Sequence, residues 1–155
     1  MLQFLKDLVH NEVLMSAALS WALAQIIKTI IHLCLTKKFV PERLIGSGGM
    51  PSCHSAAVCA LVTSLVINEG VGSYLVAIAG LLAIVVMYDA TGVRRETGNQ
   101  AKLLNEFIEL FQKNGTELSN DDKLKEFVGH TPFQVLMGAI LGIAFALLYC
   151  LVIVR

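Results

Sequence analysis

Apolar residues gather in four long runs along this chain, and the strongly polar ones collect at the joints between them. The first run, Val13–Leu35, is interrupted by Gln25, Lys28 and His32. The others are Cys53–Asn68, Val71–Tyr88 and Thr131–Val154, the third nearly and the fourth wholly free of charge. Crossing about 30 Å of hydrocarbon takes about 20 helical residues at 1.5 Å each. The first, third and fourth runs meet or approach that length. The second, about 24 Å long as a helix, spans only where the bilayer thins or protein encloses it. Asn68-Glu69-Gly70 is a tight connection and predicts an antiparallel hairpin of the second and third runs. The pattern predicts an all-α, multi-pass helical membrane protein with about four transmembrane helices, folded as a single membrane-embedded domain over residues 1–155.

The one large polar segment, Thr91–Gly129, has helical periodicity of its own. Leu103, Leu104, Phe107, Ile108 and Phe111 form one apolar stripe, with Lys102, Glu106, Glu109 and Lys113 to the other side. Asn114-Gly115 is a suitable helix end, and Ser119 with Asp122 suggests a new start that turns Leu124, Phe127 and Val128 inward. The amphipathic stripe suits the bilayer surface or a cavity mouth; packing against the membrane bundle suits it equally.

Composition agrees with lipid as the solvent. Of 155 residues 55% are hydrophobic and only 15% charged, well short of the quarter usual in soluble domains. Net charge is zero, so nucleic acid is not expected as a partner. The early cation Lys6 has Asp7 and Glu12 beside it, and the run that follows is long, which fits a retained helix better than a cleaved signal. Nine of the twelve Lys and Arg lie in Lys37–Arg43 and Arg94–Lys125. With four spans these stretches share one side, which positive-inside bias makes cytoplasmic at the cell membrane. The four cysteines have no metal-ligand spacing and read as small buried hydrophobes.

Chemistry-bearing residues collect on that same side. Gly48–Ser55, containing Ser52 and His54, leads into the second run, and Gly129–Val135, containing His130 and Gln134, leads into the fourth. Asp89, Arg94 and Arg95 leave the third. Hydroxyls at Ser52 and Ser55 suit a helix N-cap, and such a helix start also suits an anion. Arg94 and Arg95 are natural phosphate ligands because guanidinium matches phosphate oxygens two at a time. Lys38, Arg43 and Lys28 can add charge. Asp89 near the membrane edge calls for a cation, first of all Arg94 or Arg95. Lys28, His32 and Gln25 share a face that should point into the bundle, and Gly138 with Gly142 permits close helix packing.

Ala24–Lys28, Gly48–Ser55, Asp89–Arg95, Gly98–Ala101, Leu104-Asn105 and Gly129–Gly142 together resemble the divergent type-2 phosphatidic acid phosphatase family, related to acid phosphatases and vanadium-dependent haloperoxidases. Pro51-Ser52-Cys53-His54 resembles that superfamily's Pro-Ser-Gly-His motif, with Cys for Gly. His130 through Gly138 resembles the second half of its other histidine motif. The resemblance implies His130 as nucleophile and His54 as the group that assists departure of the alcohol. Two positions depart from the pattern: Leu124 stands where a phosphate-binding Arg is expected, and Gln134 where a carboxylate would orient His130. The expected phosphate ligands are therefore Arg94, Arg95, Ser52, Lys38 and Arg43, with Asp89, Gln134 and Lys28 orienting or pairing charge. No metal and no cofactor is assigned. The expected activity is hydrolysis of a lipid-linked phosphate or diphosphate, with membrane lipid and a phosphorylated amphiphile or anionic headgroup as partners and room for a homo-oligomer. The alternatives are a non-catalytic binder of anionic headgroups and a small transport or scaffold module.

Overall fold

The computed structural model describes residues 1–37, 49–113, 124 and 129–153. Among the described residues six α-helices follow one another: α1 Leu2–Val9, α2 Glu12–Thr36, α3 Cys53–Glu69, α4 Tyr74–Thr91, α5 Val93–Lys113 and α6 Pro132–Leu148, the last continued by a wider π-type turn, Tyr149–Ile153. The four apolar runs are α2, α3, α4 and α6, so the all-α, multi-pass reading holds. Side-chain oxygens mark their starts. Asn11 caps α2, Ser52 caps α3, Ser73 caps α4 and Thr131 caps α6.

The bundle is organised around its shortest apolar helix. Three stretches are long and apolar enough to cross a membrane, namely Glu12–Thr36, Tyr74–Lys113 and Pro132–Ile153; α3 is shorter. It packs against α2, α4 and α6 at once, and no residue from Pro51 to Ile67 is exposed. Protein, not lipid, surrounds it, so its backbone is shielded without the length a lone span needs.

The packing is inverted relative to a protein folded in water. Buried positions are small or polar, among them Ala24, Ala56, Ala60, Ala83, Ser20 and Ser64. The large apolar side chains face outward, with Ile78 67% exposed and Leu81 64% exposed on α4. Hydrocarbon solvates Leu and Ile as well as a core does, so helices here gain by close approach of small residues. Of the cysteines, Cys53, Cys59 and Cys150 are buried as expected, but Cys34 is exposed near the end of α2, where α2 leaves its neighbours.

Glycine sets the closest contact. A Cβ on Gly138 would strike the carbonyl of Ser52, and one on Gly142 the carbonyl of Ala56. Further along, Cys150 Sγ donates to Ser64 Oγ at 3.6 Å, again 86 residues apart like the two pairs before it. A constant separation means α3 and α6 run parallel, with their N-termini at the same end. Ser20 on α2 donates to the Ala56 carbonyl and Lys28 lies by Gly49, so α2 runs opposite to α3. Cys59 meets Met87, and α4 likewise runs opposite.

The 91–129 segment departs from expectation at Leu124 and decides an open alternative in α5. Leu124, expected to face inward, is 47% exposed, because its backbone N–H and C=O are both taken by the amide of Asn105. The apolar stripe of α5 does not pack on the bundle: Gly98, Ala101 and Asn105 are its buried side. Asn114-Gly115 and the proposed start at Ser119 lie outside the described residues.

A histidine and cation cluster at one end of the bundle

Five segments are tied together where α3 and α6 begin and α2 and α4 end. Ser52 N–H donates to the Gln134 carbonyl at 3.1 Å, joining the two helix starts. His130 N–H donates to the Ala90 carbonyl at 3.0 Å, joining the second histidine segment to the end of α4. Gly129 lies directly on the backbone of Arg94 and Arg95, at φ +103°, where a Cβ would meet Arg95 N at 2.5 Å. Gly49, at φ +87°, lies on the aliphatic stem of Lys28, where a Cβ would come within 2.9 Å of Cδ. Both positions need glycine twice over, for conformation and for space.

The exposure of the cluster grades from surface to interior. The Arg94 side chain is 46% exposed, His54 is half-buried, and His130 and Lys28 are 4% and 2% exposed. Arg94 Nε donates to Asp89 Oδ2 at 2.6 Å. Arg94, Lys28 and Asp89 all act on the charge of His54, and Lys28, His54 and Arg94 on that of His130. Arg95 is placed differently. It lies one residue further round α5, with its side chain exposed and its backbone under Gly129. Lys38 and Arg43 lie outside the described residues. Ser52 is fully buried, and its Oγ accepts from Ser55 N–H at 3.4 Å and Ser55 O–H at 3.0 Å, so it builds the α3 entrance.

Gln134 decides the protonation pattern of His130. Its Oε1 accepts from Thr131 N–H at 3.1 Å, while Thr131 Oγ1 accepts from Gln134 N–H at 3.3 Å, a reciprocal capping box. A backbone N–H only donates, so the amide atom facing Thr131 is oxygen. That same oxygen lies 3.2 Å from His130 Nδ1. Nδ1 must therefore carry the proton, and the lone pair of the neutral ring sits on Nε2. Burial holds the His130 imidazole below the ordinary value of 6.5, and the cations around it push the same way against the bond from Gln134. Neutral His130 is the favoured form near pH 7.

Cys53 does the converse for His54. Its Sγ lies 3.7 Å from His54 Nδ1. Imidazole nitrogen accepts far better than thiol sulfur, so S–H donates to Nδ1 and the ring proton sits on Nε2. Ala90, Gly49 and Gly129 were not singled out for roles of their own in the sequence. Only the glycines that open the two histidine segments, the Gly48-Gly49 pair and Gly129, hinted that the backbone comes close there.

Fold and cluster together define a multi-pass, all-helical integral membrane protein whose histidines and cations meet at one end of the bundle. The chain belongs to the Divergent PAP2 family, which it matches over residues 9–145. It is 36% identical over 150 residues to the membrane protein YuiD of Bacillus subtilis (strain 168), described as uncharacterized, covering 91% of this chain and 95% of that one. No solved structure matches it.

Proposed function

We propose that this protein hydrolyses a lipid-linked phosphate or diphosphate by way of a phosphohistidine at His130. The observation that carries this is the fixed Nδ1–H of His130, held by Gln134, which leaves Nε2 as a nucleophile among Lys28, His54 and Arg94. The Nε2 lone pair forms the N–P bond as the P–O bond to the alcohol breaks. A proton taken up at Nδ1 makes His54 an imidazolium, whose Nε2–H protonates the departing oxygen and leaves a neutral ring with Nε2 bare. Water then attacks the phosphohistidine, giving its proton back to His54, and the N–P bond breaks to free phosphate. Lys28 and Arg94 neutralise the phosphoryl oxygens, the main task in such a transfer. Lys28 supplies from α2 the charge that Leu124 cannot. Because the cluster lies at a bundle end, an amphiphile reaches it with its tail in the bilayer. Positive-inside bias at Lys37, Arg94, Arg95 and Lys102 supports a reading in which that end faces the cytoplasm at the cell membrane.

Purified protein offered phosphatidic acid, isoprenyl diphosphate and a soluble sugar phosphate should release phosphate from one of the first two and not from the third. Substitution of Lys28 by Met keeps the stem against Gly49 and removes the charge; it should lower kcat/KM about 100-fold with the fold intact. Unchanged turnover in K28M would take Lys28 out of the site. Headgroup binding that Lys28→Met abolishes, without phosphate release from any substrate, would instead mark a non-catalytic anion receptor, a reading that the apolar Leu124 favours.

The pH dependence has a definite sign. His130 titrates below its ordinary 6.5, so its lone pair is available above that lowered value and is lost as pH falls through it. Gln134→Glu keeps the capping box, which accepts Glu equally, and places a carboxylate against Nδ1–H. The acidic limb of the rate profile should move to higher pH, matched by the His130 ring resonance followed by NMR. A limb that stays put would disconnect His130 from the rate.

A further inference from the structure

We infer that α5 is an interfacial helix whose Leu103–Phe111 stripe is immersed in the headgroup and acyl boundary of the bilayer, holding the histidine cluster at headgroup depth. The inference does not depend on the phosphatase reading.

Around α5, at about 100° per residue, the side chains divide into three sectors. Leu103, Leu104, Phe107, Leu110 and Phe111 fill a sector about 120° wide, every one at least 50% exposed, and only in the first two turns do Glu96 and Gln100 share it. Opposite them lie Gly98, Ala101 and Asn105, the buried residues of the helix. Arg95, Lys102, Glu106, Glu109 and Lys113 occupy a sector about 60° wide on one flank between the two. A helix at a water-facing surface buries its apolar side and exposes its polar one. Here the polar, small side is the one facing protein, where Asn105 grips the backbone of Leu124 at 2.9 and 2.8 Å. One apolar sector, one protein sector and one charged sector suit a helix lying at the boundary of three media.

Continuity identifies the apolar medium. Only Gly92 separates α5 from α4, and the outward face of α4 carries Leu81, Ile84, Val85 and Tyr88, exposed as lipid-facing residues are. Val93 continues that exposed surface into α5. A shallow cleft lies between Leu103, Phe107 and Leu110, edged by Glu106. Because Gly129 rests on the Arg94–Arg95 backbone and His130 on Ala90, the start of α5 is tied to the histidine, and a stripe at the boundary keeps that start near headgroup depth.

The test uses the full chain in vesicles of phosphatidylcholine and phosphatidylglycerol. Trp21 is the sole tryptophan, so Trp21→Phe gives a silent background. Into it go Phe107→Trp or Phe111→Trp in the apolar sector, and Lys102→Trp in the charged one. The two apolar-sector reporters should emit at short wavelength and be quenched about twofold more by lipid with a nitroxide near the headgroup than by one deep in the chain. Lys102→Trp should emit as in water and be quenched by iodide. Apolar-sector reporters quenched by iodide and by neither lipid would overturn the inference, as would quenching strongest from the deep nitroxide. A blue-shifted emission that no lipid quenches, with a doubled mass in detergent, would put a second copy of this chain on the stripe and overturn it equally.

Discussion

Phosphate release by His130→Asn should fall about 10³-fold or more, with no phosphohistidine trapped after an alkaline quench. Asparagine keeps the backbone N–H that donates to Ala90 and retains a side-chain amide near Gln134, so the helix end is preserved. The size of the loss follows from chemistry. Without Nε2 there is no atom to form the N–P bond, and only cation placement by Lys28 and Arg94 remains. His54→Asn should lower the rate less for a substrate with a good leaving group than for a simple lipid alcohol, because such an oxygen leaves without a proton. A His130→Asn protein that keeps activity within about tenfold, with its fold verified, would remove the nucleophile from the proposal.

The largest structural effect should come from glycines that carry no chemistry. Gly138→Ala or Gly142→Ala adds one carbon facing a backbone carbonyl of α3, which cannot swing aside as a side chain would. Each should destabilise the protein by about 3 kcal/mol, read as a drop in thermal midpoint in detergent. The two helices must part, breaking the bond from Ser52 N–H to the Gln134 carbonyl and uncoupling the histidine segments. Gly80 on α4 is the internal control. A Cβ there meets nothing within 4 Å, so Gly80→Ala should be neutral or stabilising by up to about 1 kcal/mol through helix propensity. Equal behaviour of all three variants would mean that close α3–α6 contact does not hold the bundle.

Much of the fold was legible because its signals are local. Val13–Leu35 became Glu12–Thr36, and the capping residues Ser52 and Thr131 begin α3 and α6 where their hydroxyls are needed. Gly138 and Gly142 were readable as a packing face, and Lys28 with Gln25 as an inward one. The site was legible only in part. Arg94 and Arg95 are indistinguishable in sequence; in the structure Arg94 pairs with Asp89 and acts on the charge of both histidines, whereas what Arg95 offers is its backbone, under Gly129. Leu124 resisted reading because what holds it is the Asn105 side chain, an interaction made 19 residues away.

The order of hydrophobic and polar residues by itself determined the helices and their membrane-spanning character, while motif residues such as Pro51–His54 and Gly129–Gly142 carried the family resemblance. Helices and spans depend on hydropathy and caps within a few neighbouring residues. Only the tertiary structure decided that α3 and α6 pack directly on each other in one register, and that Gln134 fixes which nitrogen of His130 is bare. Those outcomes depend on backbone surfaces meeting across 86 residues, and on one amide oxygen serving a backbone N–H and a ring N–H together. Small residues mark a surface as open to approach, but the chain names no partner until the helices pack.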